Sequence, residues 1–61
     1  MKLVVLGAAE SGVGAAILAQ QKGYEVFVSD MGKIQPRYKE MLEQRHIAWE
    51  EGRHTESAIL N

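Results

Sequence analysis

Residues 2–14 have the sequence KLVVLGAAESGVG, which joins a short apolar run to a glycine-rich segment. The run at 2–6 is almost continuously apolar, as in a strand that is covered on both faces of a parallel sheet. Residues 7–12 predict a turn, and residues 12–22 predict a helix with an apolar stripe. This order of strand, glycine turn and helix is typical of proteins that bind phosphate groups at a helix N-terminus.

The rest of the chain repeats the alternation of strand and helix. Gly23 is a typical residue for the end of the first helix, Pro36 suits the first turn of a second helix, and Thr55 is a candidate N-cap. The four further predicted elements are a strand at 25–29, a helix at 36–45, a strand at 47–49 and a helix at 56–60. The sequence thus predicts an α/β fold, a truncated Rossmann-like β-α-β-α-β unit of three layers with a parallel sheet. Strand orders 3-2-1 and 2-1-3 both fit, and we expect 3-2-1.

Size and composition exclude several classes of function. A chain of 61 residues buries only about 60% of its unfolded surface, so we expect marginal stability. Seven basic and eight acidic side chains give a net charge of -1, which favours neither a nucleic acid nor a membrane surface. The absence of cysteine excludes a disulfide framework and a thiolate metal site. The longest apolar run is too short to span a bilayer, and we expect a cytoplasmic protein.

The glycine segment is similar to a dinucleotide fingerprint but departs from it at one position. The pattern G-x-G-x-x-G places its first and third glycines at Gly7 and Gly12, whereas the middle position is Ala9. The middle glycine normally lets a pyrophosphate approach the backbone. Asp30 follows the second strand, where dinucleotide folds place an acid that binds ribose hydroxyls. The alternative is that the glycines only form a tight turn and Asp30 only ends a strand.

Other polar residues have simpler interpretations. Ser11 could cap the first helix, donate its hydroxyl to a phosphate, or do both. Glu10 should point to solvent, or contact a base or sugar through its backbone, since a carboxylate beside a diphosphate is repulsive. We expect His46 and His54 to be surface residues and Trp49 to pack against the second helix.

Three stretches resemble the start of the Mur ligases. They are residues 4–16 (VVLGAAESGVGAA), residues 23–30 (GYEVFVSD) and residues 52–55 (GRHT). The Ser-Gly pair of the glycine segment and the Ser-Asp pair that ends the second strand are the more specific parts. The likeness covers nearly all of the chain, but only the first of the family's three domains, and it is strongest for the branch that adds D-glutamate.

The resemblance implies a Rossmann-like domain that holds the UDP part of a sugar nucleotide rather than NAD. The glycine segment would lie near the diphosphate and uridine, and the end of the second strand would lie near the uracil. The residues implied to contact UDP are Gly7, Glu10, Ser11, Gly12, Asp30 and Met31. Many relatives have polar residues after the aspartate, where this chain has Met31 and Gly32.

The resemblance also implies the reaction of the whole enzyme. That reaction joins D-glutamate to the L-alanine carboxylate of UDP-N-acetylmuramoyl-L-alanine, using ATP and Mg²⁺ through an acyl phosphate, in peptidoglycan precursor synthesis. The ATP loop and metal ligands belong to the central and C-terminal domains, so residues 1–61 should contain no catalytic residue, metal site or cofactor and should be inactive alone. Two alternatives are an NAD-binding module of a redox or regulatory protein, and a fragment without ligand that forms a homo-oligomer through an exposed sheet edge.

Overall fold

The computed structural model describes residues 1–60, and Asn61 lies outside the described residues. The elements are β1 (Lys2–Leu6), α1 (Glu10–Gln21), β2 (Glu25–Asp30), α2 (Pro36–Gln44), β3 (Ala48–Glu51) and α3 (Glu56–Leu60). β2 pairs in parallel with β1 on one side and with β3 on the other. The order β1-β2-β3 confirms the expected arrangement 3-2-1 and the α/β class.

The core lies between one face of the sheet and the helices α1 and α2. The parallel register sets Val5 beside Val28, so both side chains face α1. Ala16 is fully buried, and its small side chain lets α1 approach the sheet closely. Leu42 of α2 is also fully buried, which contributes on the order of 2 kcal/mol. The buried apolar residues are Val5, Ala8, Val13, Ala16, Ala19, Val26, Val28, Ile34, Tyr38, Leu42 and Ile47.

Within residues 1–60, the opposite face of the sheet is covered only by the short helix α3. Phe27 and Ser29 alternate with the core valines of β2 and therefore point away from α1. On that side α3 contacts β2, and the Lys2 Nζ donates to the Ala58 carbonyl oxygen at 2.9 Å. Leu6, in register with Ser29, stays 64% exposed at the end of β1. The helices thus cover both faces, as the three-layer prediction requires.

The predicted start of α1, and with it the predicted cap, is wrong. Ala9 is the N-cap, in an extended conformation (φ -93°, ψ -168°), and the Val13 N–H donates to its carbonyl oxygen at 2.9 Å. The helix therefore begins at Glu10, whose charge suits the positive end of the helix dipole. Ser11 lies inside the first turn and does not cap α1, so Ser11→Ala should not cost the roughly 1 kcal/mol of a lost cap.

The third strand is displaced from its predicted position at 47–49 to Ala48–Glu51. Ile47 instead completes the end of α2, because its N–H donates to the Leu42 carbonyl oxygen at 2.9 Å. Glu50 and Glu51 enter the strand opposite Ser29 and Asp30. Charged residues at a strand end argue against a strand in sequence analysis, but here both carboxylates find hydrogen-bond donors.

The remaining boundaries agree closely with prediction. β2 extends to Asp30, α2 ends at Gln44, and the last helix spans the predicted residues. Gly23 has φ +93°, which confirms it as the residue after the end of α1. Trp49 packs partly buried against the core, with the Lys39 Nζ of α2 lying 5.1 Å from the centroid of its ring. This confirms the expected contact with the second helix.

We expect the chain to self-associate through β1. The Met1 carbonyl and the Gly7 N–H both bond to β2, so the alternating main-chain groups of residues 2, 4 and 6 face the other edge. No strand within residues 1–60 pairs with that edge, and unpaired edges invite another chain. Light scattering near millimolar concentration should give a mass above the monomer, and Leu6→Lys should remove the association. A strict monomer at that concentration would contradict the prediction.

Candidate functional site

The turns after the parallel strands meet at one end of the sheet, which we call the carboxyl edge (residues 6–10, 29–32 and 51–55). Ligands of open α/β sheets bind outside this end of the strands. The Gly7 N–H donates to the Ser29 carbonyl oxygen at 2.7 Å, which extends the pairing of β1 with β2 into the glycine segment. Gly7 then turns the chain with φ +104°, a conformation that favours glycine.

Gly12 permits the close approach of α1 to this turn. A Cβ at Gly12 would overlap the Gly7 carbonyl oxygen, lie 3.0 Å from the Gly7 carbonyl carbon and lie 3.5 Å from Cγ1 of Val5. Gly12 occupies the third glycine position of the fingerprint, whose role is tight packing of the helix against the strand. By contrast, Gly14 has open space around its Cβ position.

The start of α1 presents main-chain donors at the carboxyl edge. The first amides of a helix have no acceptor within it, and here Val13 is the first residue of the helix start whose N–H reaches one. The amides of Glu10, Ser11 and Gly12 precede it, at the positive end of the helix dipole. Both Glu10 and Ser11 are exposed, so the predicted orientation of Glu10 toward solvent is confirmed.

Asp30 connects the glycine segment to the loop after β2. Its Oδ2 accepts a hydrogen bond from the Ala8 N–H and its Oδ1 accepts one from the Gly32 N–H, both at 2.8 Å. These bonds, with the Ala8 amide first, lower the pKa of Asp30, and the nearby His54 lowers it slightly further. Each carboxylate oxygen can accept one more hydrogen bond from a ligand. Met31 is 61% exposed immediately beyond it.

A second polar group lies on the other face of β2, and we call Ser29, Glu50, His54 and Thr55 the Ser29 cluster. Ser29 is fully buried, and its Oγ lies 2.7 Å from Oε2 of Glu50 and 2.6 Å from Nδ1 of His54. Thr55 donates to Glu50 twice, from its hydroxyl at 2.6 Å and from its N–H at 2.7 Å. Thr55, Ser29 and Arg53 together lower the pKa of Glu50 to about 2, with the Thr55 hydroxyl contributing most.

The number of hydrogens available in the Ser29 cluster decides which group donates and which accepts each hydrogen bond. Ser29 has one hydroxyl proton, and the Glu50 carboxylate is a stronger acceptor than the Arg53 carbonyl oxygen at 3.1 Å. The proton of Ser29 therefore points to Glu50, and the Nδ1 of His54 must carry a hydrogen to bond with the Ser29 oxygen. His54 acts here as a donor, so the three residues do not form a nucleophile with its general base.

The structure brings some of the predicted site residues together and leaves others apart. The carboxyl edge brings together Gly7, Gly12 and Asp30, because Gly12 packs against Gly7 and the Ala8 N–H donates to Asp30. The other three predicted site residues have exposed side chains there, and they are Glu10, Ser11 and Met31. Sequence reasoning missed the partners of Asp30 and the whole Ser29 cluster. His54 is an exposed residue, as predicted, but it is also held by Ser29. The GRHT stretch was the one signal that marked its position.

Residues 1–60 contain no group of three His, Cys, Asp or Glu side chains that could hold a metal ion. None of their helices is long and apolar enough to cross a membrane. A surface cavity of about 480 Å³ runs along α2 and is lined by Pro36, Lys39, Glu40, Glu43 and Gln44. No predicted site residue lines it, so the carboxyl edge remains the candidate site.

The parallel sheet, its helices and the glycine segment define a Rossmann-like α/β unit. The family model for the MurD N-terminal domain matches residues 2–60, and the chain therefore belongs to that family. This agrees with the resemblance of residues 4–16, 23–30 and 52–55 to the Mur ligases.

Two curated proteins that are similar to this chain are both named UDP-N-acetylmuramoylalanine--D-glutamate ligase. The protein of that name from Bacteroides thetaiotaomicron is 62% identical over 60 residues, which are 98% of this chain and 14% of the relative. The one from Porphyromonas gingivalis is 69% identical over 58 residues, 95% of this chain and 13% of the relative. The chain thus spans about one seventh of the length of these relatives. No solved structure gives a significant match.

Proposed function

We propose that this chain holds the uridine diphosphate part of UDP-N-acetylmuramoyl-L-alanine at the carboxyl edge of its sheet. The observation that carries the proposal is the Asp30 carboxylate, which lies hydrogen-bonded between the Ala8 and Gly32 amides, next to the amides that begin α1. A negatively charged hydrogen-bond acceptor, held in place by two amides, thus lies beside a set of main-chain N–H donors. That combination suits a ligand with donor groups on its base or sugar and negative charge on its phosphates.

The ligand would bind in an orientation set by these charges. Its diphosphate would accept hydrogen bonds from the amides of Glu10, Ser11 and Gly12, where the helix dipole favours an anion. The uracil or ribose would donate to Asp30 and lie against Met31. Gly7 would leave room for the phosphates beside the turn. The hydroxyl of Ser11, which caps nothing in α1, is available to the diphosphate.

The competing ligand is NAD, bound as in a redox or regulatory module. Ala9 is exposed at the N-cap of α1 and carries a methyl group where dinucleotide folds have glycine for the pyrophosphate. Met31 and Gly32 offer no side-chain donor to a 2′-phosphate. Ala9 would lie beside the diphosphate of either ligand, so we infer UDP rather than NAD from the name of the relatives.

For the protein to which this chain belongs, we propose the activity in its relatives' name, an ATP-dependent ligase that adds D-glutamate in peptidoglycan precursor synthesis. Residues 1–61 would be its N-terminal UDP-binding domain, and ATP and Mg²⁺ would bind in central and C-terminal domains. A ligase of this kind would work in the cytoplasm, and the chain alone would be inactive.

NMR titration tests the proposed ligand. UDP and UDP-N-acetylmuramoyl-L-alanine should shift the amide signals of residues 7–14 and of residues 30–32 at lower concentration than NAD does. Binding should be weak, since the rest of such an enzyme would complete the pocket. If NAD shifts these amides at lower concentration than UDP, the proposal fails in favour of the redox or regulatory module.

Asp30→Asn tests the same proposal by replacing a single oxygen atom of the carboxylate. The amide group keeps the size of the carboxylate but replaces one acceptor with an NH₂ group, which must face either a protein N–H or the ligand. UDP affinity should fall while the chain stays folded. Glu43→Gln, which removes one carboxylate from the exposed side of α2, should leave UDP affinity unchanged. Equal affinities of the two variants would argue against a role of Asp30 in binding.

A further inference from the structure

The turn at residues 52–55 is attached to the loop that carries Asp30. The Gly52 N–H donates to the Gly32 carbonyl oxygen at 2.9 Å, and the Arg53 N–H donates to the Asp30 carbonyl oxygen at 3.4 Å. Gly52 has φ +75°, which lets the chain reverse directly after β3. Asp30 is therefore held from two directions, by the glycine segment through its carboxylate and by this turn through its main chain.

The Ser29 cluster is what fixes the turn to the sheet. Glu50 leaves β3 on the same face as Ser29, its register partner, and its carboxylate accepts from Ser29 and twice from Thr55. His54 closes the other side of the turn by donating to the Ser29 oxygen. Every one of these bonds is shorter than 2.8 Å, and those to Glu50 are charge-assisted. The main chain from 50 to 55 thus has little freedom to move relative to β2.

We propose that Ser29, Glu50 and His54 are positioning residues for Asp30, which act through the turn at 52–55. The inference rests on the proposed function insofar as Asp30 binds the uridine. The buried hydroxyl of Ser29 is the shared partner in this cluster. It bonds to both Glu50 and His54, and Ser29 directly precedes Asp30 in β2. Loss of the cluster would free the turn, loosen the Arg53 bond to the Asp30 carbonyl and let the carboxylate shift away from the Ala8 amide.

Substitutions at His54 give the sharpest test, because this residue is exposed and its replacement should leave the fold intact. His54→Leu removes the donor to Ser29 at similar size, and His54→Asn restores an N–H donor at about the distance of Nδ1. Ser29→Ala removes the centre of the cluster. Should Ser29→Ala unfold the chain, the two His54 variants still decide the question.

The measurements are the affinities for UDP and for inorganic pyrophosphate, together with the amide signals of Ala8 and Gly32. These two amides bond directly to the Asp30 carboxylate, so their proton shifts report its placement. In the His54→Leu variant both signals should move, and UDP affinity should fall by at least about fivefold, the equivalent of one hydrogen bond. Pyrophosphate affinity should stay within twofold, and His54→Asn should restore UDP binding.

A merely structural role would give a different result. If His54→Leu weakens UDP and pyrophosphate in parallel, or leaves both amide signals and the UDP affinity unchanged, the positioning role is overturned. If the unaltered protein binds no UDP, the proposed function fails. In that case the Ala8 and Gly32 signals of the His54 variants still decide whether the cluster positions Asp30.

Discussion

Gly12→Ala is expected to leave a large fraction of the chain unfolded, whereas Gly14→Ala is expected to stabilise it. The added methyl at position 12 would overlap the Gly7 carbonyl oxygen, a main-chain atom that no side-chain rotation can move aside. Overpacking typically costs about 1 to 3 kcal/mol, and an overlap with a main-chain atom belongs at the upper end of that range. A domain of this size has a total stability of only about 3 to 9 kcal/mol, so the loss is a large part of the whole.

Gly14 provides the matched control within the same helix. It is exposed, its Cβ position is open, and alanine is favoured over glycine inside a helix by about 1 kcal/mol. Urea unfolding followed by the fluorescence of Trp49 should therefore separate the two variants in opposite directions from the unaltered chain. An unfolding midpoint for Gly12→Ala equal to that of the unaltered chain would contradict the close approach of α1 to Gly7.

The elements that sequence analysis located well are those fixed by local physics. The apolar run Lys2–Leu6 is followed by a glycine, and Pro36 can begin a helix but not continue one, so both boundaries follow from nearby residues. The same holds for Gly12 and Asp30 at the candidate site. Their spacing after consecutive strands places them at one edge of any parallel sheet.

What the sequence could not predict depends on contacts between distant residues. Ser11 is a good N-cap by type, but the pairing of Gly7 with Ser29 fixes the turn and leaves the cap position to Ala9. Ser29 and His54 are 25 positions apart, and no local pattern indicates that they meet. Glu50 acquires its donors, Ser29 and Thr55, only through the fold. Polar groups of this kind are paired only when the tertiary structure forms.

The second large effect that we expect is acid unfolding governed by three carboxylates. The pKa values of Asp30, Glu50 and Glu51 all lie below their ordinary values in the folded chain. For Glu51 the main cause is the Lys39 ammonium at 2.7 Å, followed by the Ile34 N–H at 2.9 Å. A lowered pKa means that the folded state binds protons less readily than the unfolded state. Each group therefore stabilises the fold above its unfolded pKa, and this stabilisation is lost as the pH falls through the folded value.

The pH window follows from Glu50, whose pKa is lowered from 4.5 to about 2. The free energy of unfolding should be nearly constant from neutral pH down to about pH 5 and then decrease steadily toward pH 2. Denaturant titrations at a series of pH values, followed by circular dichroism, measure this curve. Protonation of Glu50 would also remove the charge that holds Ser29 and Thr55, so the turn at 52–55 should loosen in the same range.

Glu50→Gln distinguishes the contribution of Glu50 to the pH dependence of stability from those of Asp30 and Glu51. The variant should be less stable at neutral pH, because its amide group places an NH₂ where Thr55 and Ser29 need an acceptor. Its stability should also change less between pH 5 and pH 2, since the group that releases stability on protonation is gone. Glu43→Gln on the exposed side of α2 should retain the full pH dependence. If Glu50→Gln shows the same decrease with acid as the unaltered chain, the lowered pKa of Glu50 is not what links the fold to pH.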